Sequence, residues 1–202
     1  MNTPELKTTI SDALARLTTH ADELRDLDAA LGDGDLGITI SSGSLAVIAA
    51  LDELDDNVSP SDVAKACAKA FANANPSTMA ALVAGALLAG SKVWSGKTII
   101  DLADTIRFTQ AAADSIGTRG KSQLGDKTIL DAIVPAIEAL RSAPDSASAL
   151  DAAIAAADKG VEYTKSLQSR RGRAAWLQER SIGLQDPGAT AFLRFLQEWK
   201  TN

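Results

Sequence analysis

Two reactive residue types are almost missing from this chain: Cys67 is its one cysteine and His20 its one histidine. A single cysteine excludes an internal disulfide and a cysteine-built zinc site, and the alanines around Cys67 predict a small buried apolar side chain rather than a nucleophile. Any Ser/His or Cys/His catalytic pair would need His20, which lies in an early helical pattern far from a nucleophile signature and reads as structural. An excess of basic residues is missing too. The net charge of -6 argues against nucleic acid or an anionic membrane surface as the main partner, so any phosphate-binding chemistry has to be local. No run approaches the roughly eighteen apolar residues of a membrane span. The opening Met1-Asn2-Thr3-Pro4-Glu5 has neither the basic nor the apolar region of a signal peptide, so the expectation is a cytoplasmic protein.

Strand signals are also lacking, whereas helix signals recur. At 46% hydrophobic and 23% charged, 202 residues suffice for a sizeable core, and the expectation is one domain over 1–202. Thr3-Pro4 reads as N-cap and first helical position, and Leu6, Ile10, Leu14, Leu17, Ala21 and Leu24 follow at helical spacing, predicting one long helix that delivers Asp28 at its end. A second helix follows Asp35 through Leu51. Ser59-Pro60 starts a third. The fourth, Ser77 to Trp94, is apolar almost all round and is expected at the centre. Thr98 with Asp101 caps a fifth that Gly117 closes, and Thr128 with Asp131 caps a sixth in which Pro135 should kink the axis. A seventh runs from Asp145 to about Leu167, and Asp186-Pro187 opens the eighth. The expected fold is all-α with eight amphipathic helices.

The stretch Asp28-Ala29-Ala30-Leu31-Gly32-Asp33-Gly34-Asp35-Leu36-Gly37 concentrates chemistry. Three carboxylates within eight residues repel one another unless solvated or neutralised by a cation, and the glycines permit a tight inward turn. Magnesium suits such a site better than calcium, because the later ligands of the calcium loop and its closing glutamate are missing. A polar connection between helices is the plainer alternative. Other breaks offer phosphate chemistry beside ordinary capping. Asn75-Pro76-Ser77-Thr78 places hydroxyls and free N–H groups at a helix start. Gly120-Lys121 and Gly125-Asp126-Lys127-Thr128 set cations beside another. Ser169-Arg170-Arg171-Gly172-Arg173 gathers positive charge, either for phosphate oxygens or as a solvated face. Asp186-Pro187-Gly188-Ala189-Thr190 leaves a helix end accessible.

Taken together and in order, the Asp28 to Gly37 motif, Arg119-Gly120-Lys121 with Gly125-Asp126-Lys127-Thr128, and Arg171-Gly172-Arg173-Ala174 through Glu179-Arg180-Ser181-Ile182-Gly183 to Asp186-Pro187-Gly188-Ala189-Thr190 resemble the nucleotide-binding (L) subunit of dihydroxyacetone kinases. The resemblance spans nearly the whole chain and implies a closed barrel of eight antiparallel helices with the nucleotide at one end. It implies that Asp28, Asp33 and Asp35 hold two Mg²⁺ ions against the phosphates of ADP or ATP. Around the nucleotide it implies Leu36, Gly37, Ile38 and Thr39, then Ser77 and Thr78, then Gly120, Ile129, Arg173, Asp186, Pro187 and Gly188. The implied reaction is phosphoryl transfer to a small ketose such as dihydroxyacetone, held covalently on a histidine of a separate K subunit. The resemblance implies either a phosphotransferase-system M subunit as a further partner that recharges bound ADP, or exchangeable ATP. Two departures stand out. Leu36 replaces the family's usual histidine, and Asn75-Pro76-Ser77-Thr78-Met79 replaces a Gly-Gly-rich turn, stiffening a loop that would wrap phosphates. These leave open a kinase for another ketose such as a tetrulose, and a non-catalytic helical scaffold that binds nucleotide.

Overall fold

The computed structural model describes residues 1–201, which form α-helices joined by turns and two stretches of 3₁₀ helix. Nine α-helices lie among them: α1 (Thr3–Leu17), α2 (Ala21–Leu31), α3 (Leu36–Asp52), α4 (Pro60–Ala74), α5 (Thr78–Val93), α6 (Leu102–Gly120), α7 (Leu130–Ser142), α8 (Ser146–Thr164) and α9 (Pro187–Lys200). The packing order is cyclic. α1 lies on α3, each helix from α3 to α8 lies on the next, and α9 returns to α1, while α2 packs between α3 and α9. Each amphipathic face is thereby buried against two neighbours, which removes the solvent cost of its apolar stripe. Among the described residues no helix is long and apolar enough to cross a membrane.

The ninth helix arises because the long first helix is divided. Thr18 and Thr19 turn their hydroxyls back to the carbonyls of Ala15 and Arg16 at 2.6 and 2.7 Å, and the chain tightens into a 3₁₀ turn over Thr18–His20. His20 then ties the junction to α9, with Nε2 2.8 Å from a Glu198 carboxylate oxygen and Nδ1 3.4 Å from Glu23. Its role is structural, as read from the sequence.

Other boundaries move for similar local reasons. Asn2, not Thr3, caps α1 in a reciprocal box with Glu5, freeing the Thr3 hydroxyl to bond the Val58 carbonyl at 2.8 Å. α6 starts at Asp101 rather than Thr98, because Asp104 repeats the capping spacing and is itself anchored by Lys97 and Arg107. It continues past Gly117 to Gly120 and ends on Lys121 in a left-handed conformation. Ser59, Ser77, Asp145 and Asp186 cap α4, α5, α8 and α9 as expected. α8 stops at Thr164, three residues short of the expected end.

α7 runs unbroken through Pro135. Proline has no N–H, so the Asp131 carbonyl lacks its helical donor, and α8 approaches that carbonyl at Gly160. A Cβ on Gly160 would stand 2.1 Å from the Asp131 oxygen and 3.0 Å from its carbon. Backbone on both sides cannot yield cheaply, so Gly160→Ala is expected to destabilise the protein by about 2–3 kcal/mol in urea unfolding. A change within 0.5 kcal/mol, the usual scatter of neutral substitutions at about that size, would show that α7 and α8 can separate freely.

Candidate metal and anion site

α2 ends by delivering Asp28 and then stops at Gly32, whose N–H bonds the Asp28 carbonyl at 2.5 Å. Gly34, at φ 75°, turns the chain so that Asp33 and Asp35 face Asp28, a conformation glycine adopts without strain. The Leu36 N–H donates to the Asp28 carboxylate at 3.2 Å, joining the end of α2 to the start of α3. One carboxylate oxygen from each of Asp28, Asp33 and Asp35 lies within 4.8 Å of the other two. Arg173 reaches across from the α8–α9 connection, paired with Asp33 and 4.0 Å from Asp35. Both aspartate side chains remain nearly half exposed, so the pair is screened and adds little stability.

The neighbouring residues fall into two groups. Leu36, Gly37 and Thr39 are buried in the first turn of α3, whereas Ile38 is 61% exposed. Gly37 has a packing role: a Cβ there would lie 2.2 Å from the Ala21 carbonyl of α2. The α4–α5 turn is brought in by Asn75, whose amide donates to the Thr39 hydroxyl at 3.0 Å, and Ser77 accepts the Ala80 N–H at 3.1 Å, leaving Thr78 exposed. The replacement of the Gly-Gly turn therefore adds a side-chain link to α3. At the other helix starts, Gly188 approaches Ile129, where a Cβ would stand 3.5 Å from that of Ile129. Gly120 lies against Ser122 and Leu82.

Asp186 accepts the Ala189 N–H at 2.7 Å while its own N–H donates to the Thr164 hydroxyl at 2.9 Å. Burial of its carboxyl, reinforced by the nearby charge of Asp131 and opposed by the Ala189 and Gly188 N–H groups and Lys127, pushes its pKa up to about 7. An aspartate close to half-protonated at neutral pH repels an anion less than an ordinary one. Cys67 is buried and its thiol is pushed up to about 12, which leaves it chemically inert, in line with its sequence setting.

Three of the cations expected near phosphate turn elsewhere. Lys127 is 2% exposed and its ammonium is spent on the carbonyls of Leu167, Ser181 and Leu184; burial lowers its pKa. Arg171 bonds the buried Asp126 carboxylate at 2.8 Å, and Arg170 lies 3.9 Å from the same group. The sequence offered Lys127 at a helix start and Arg170 and Arg171 in a separate basic run, but their partners lie forty or more positions away, beyond the reach of any local pattern. Of that basic run only Arg173 meets the carboxylates.

This geometry defines an all-helical chain whose α2–α3 turn gathers three carboxylates at the start of α3, opposite an arginine from the α8–α9 connection. The DAK2 domain family matches residues 30–201, and the chain belongs to that family. It is 29% identical over 184 residues to the ADP-binding subunit DhaL of the PEP-dependent dihydroxyacetone kinase of Escherichia coli, covering 89% of this chain and 87% of that one. It is 36% identical over 178 residues to L-erythrulose 1-kinase of Mycolicibacterium smegmatis, covering 87% of this chain and 31% of that enzyme. The dihydroxyacetone kinase of C. freundii, solved in complex with AMP-PNP and Mg²⁺, superposes with a TM-score of 0.78 at 20% identity over 100% of this chain and 34% of that one. The chain thus spans about a third of those two longer enzymes and nearly all of the DhaL subunit.

Proposed function

We propose that this chain is the nucleotide-binding L-type subunit of a dihydroxyacetone kinase, acting as one domain and only with a K-type partner that holds the ketose. The observation that carries this reading is the convergence of Asp28, Asp33 and Asp35 opposite Arg173. The donor set fits magnesium. Oxygen ligands at about 2.1 Å from Mg²⁺ stand at most about 4.2 Å apart, so carboxylates spanning 4.8 Å close on the ion with small side-chain rotations. Asp28, Asp33 and Asp35 would hold two ions, which when bound neutralise polyphosphate charge and polarise the transferring group. Asp28 already accepts the Leu36 N–H, so it is oriented before any ligand arrives. Arg173, which pairs with Asp33, would meet the phosphate oxygens with its planar fork. Backbone groups at Leu36 to Thr39, Ser77 and Thr78, Gly120, Ile129 and Asp186 to Gly188 would surround the rest of the nucleotide, while the exposed Ile38 supplies an apolar contact.

A second reading differs only in the ketose. Identity of 36% to an erythrulose kinase, with Leu36 and the Asn75 to Met79 turn departing from the usual motif, favours a four-carbon substrate on the partner. Both readings are tested on protein purified without added nucleotide, then denatured and assayed for what it releases. ADP with about two equivalents of magnesium supports a resident cofactor recharged by a phosphotransferase M subunit, and an empty protein that binds Mg-ATP reversibly supports exchangeable ATP. Protein that binds neither overturns the proposal. Turnover of dihydroxyacetone against erythrulose with a K-type partner then assigns the sugar.

A further inference from the structure

The connection between α8 and α9 forms a strap whose two ends meet at consecutive residues of the α6–α7 turn. Lys127 donates to the Leu167 carbonyl at 3.1 Å on one side, and to the Ser181 carbonyl at 2.5 Å and the Leu184 carbonyl on the other. Asp126 accepts the Arg170 N–H on its carbonyl at 3.1 Å and the Arg171 guanidinium on its carboxylate at 2.8 Å. Inside the neck, the Ser169 N–H donates to the Ser181 hydroxyl at 2.9 Å, which in turn donates to the Gln178 carbonyl at 2.6 Å. Past the neck, Gly172 at φ 61° turns the chain and Arg173 extends to Asp33 and Asp35, followed by Trp176, 85% exposed.

Lys127 has spent its three N–H donors on three carbonyls, so it has none left for a ligand. Its backbone is itself left-handed, at φ 61°, a conformation lysine adopts at a cost that this inward anchoring offsets. The turn is in turn fixed from behind by Asp131, which accepts the Gly125 N–H at 2.6 Å and the Thr128 N–H at 2.8 Å. The hydrogen-bonded turn, the saturated ammonium and the closed neck together set the direction in which the tip leaves.

We infer that Asp126 and Lys127 are positioning residues that lock both ends of the 167–184 strap and so hold Arg173 over the Asp33 and Asp35 carboxylates. What Arg173 is held for rests on the nucleotide reading above; the clamp itself does not. The test compares wild type, Lys127→Gln, Ser181→Ala, Arg173→Ala and the Lys127→Gln/Arg173→Ala double variant. Trypsin cleavage at Arg170, Arg171, Arg173 and Arg180, mapped by mass, reads the strap, and calorimetry reads Mg-ADP affinity. Lys127→Gln is expected to speed strap cleavage at least about tenfold with the helical circular dichroism retained, since buried hydrogen bonds of this kind each hold a local opening down by about that factor. It is expected to weaken Mg-ADP binding about tenfold, and the double variant should bind no more weakly than Arg173→Ala alone, because both changes remove one interaction. Should Lys127→Gln not fold, Ser181→Ala, which opens the neck without touching the turn, carries the comparison with an expected acceleration of about threefold to tenfold. Cleavage unchanged in the folded variants, or losses that simply add in the double variant, overturns the inference. Wild type that binds no Mg-ADP removes the nucleotide reading, while cleavage still decides the clamp.

Discussion

Asp33→Asn combined with Asp35→Asn is expected to weaken Mg-nucleotide binding by at least about 100-fold while leaving the fold intact, because it removes two of three hard anionic ligands from a site that needs carboxylates for a divalent ion. The separation of function from stability follows from exposure. Both side chains are nearly half exposed, and their pairing with Arg173 is screened by solvent, so thermal unfolding should stay close to that of wild type. Asparagine keeps the shape of the turn and the left-handed Gly34 that sets it. Calorimetric titration with Mg-ADP, alongside a thermal melt, decides the matter. An affinity unchanged by the double substitution would favour the non-catalytic scaffold and remove the kinase reading. A collapse of the melt together with the affinity would instead make the carboxylates structural, contrary to their exposure.

Much of the fold could be read from spacing because helix caps are local. Ser59, Ser77, Asp145 and Asp186 each accept the N–H three residues on, and that distance is visible in sequence. Where two caps competed, tertiary contacts chose. Thr98 with Asp101 and Asp101 with Asp104 offer the same pattern, and the second prevails because Asp104 is 1% exposed and meets Lys97 and Arg107. The break at Thr18–His20 was hidden for a different reason: the apolar periodicity continues across it, while the hydroxyls that tighten it leave no periodic trace. The candidate site divides in the same way. Asp28, Asp33 and Asp35 were legible because eight residues contain all three and the glycines between them. The inward turn of Lys127 was not, since nothing near position 127 distinguishes a lysine that meets phosphate from one that meets carbonyls 40 and 54 residues away. Glycine supplied an ambiguous signal as well. Gly37 and Gly160 owe their place to close helix packing, Gly34 and Gly172 to backbone direction, and sequence alone writes all four the same way.

Asp186→Asn is expected to flatten the dependence of stability on pH between about 4 and 7, and to raise stability above pH 7 by as much as about 4 kcal/mol. The sign follows from the direction of the shift. The carboxyl has an ordinary value of 3.8 and is pushed up to about 7 in the fold, chiefly by burial, so folding favours its protonated form. Its contribution is therefore fully present below pH 4 and is lost as the pH rises through 7, where the folded protein must carry a buried charge. Asparagine titrates nowhere in that window. It also preserves the cap, because an amide oxygen accepts the Ala189 N–H as the carboxylate does. Part of the gain is offset by Lys127, which loses the favourable charge of Asp186 while remaining buried itself. Glu23 and Asp104 act in the opposite direction, since the partners that lower their pKa make folding weaker as the pH falls through their folded values, and both are common to the two proteins. Urea unfolding of wild type and Asp186→Asn at several pH values between 4 and 8 isolates the group as the difference between two curves. A difference that stays constant across the window would show that the carboxyl reaches water in solution, and the helix start at Pro187 would then present an ordinary negative charge to any phosphate brought beside it.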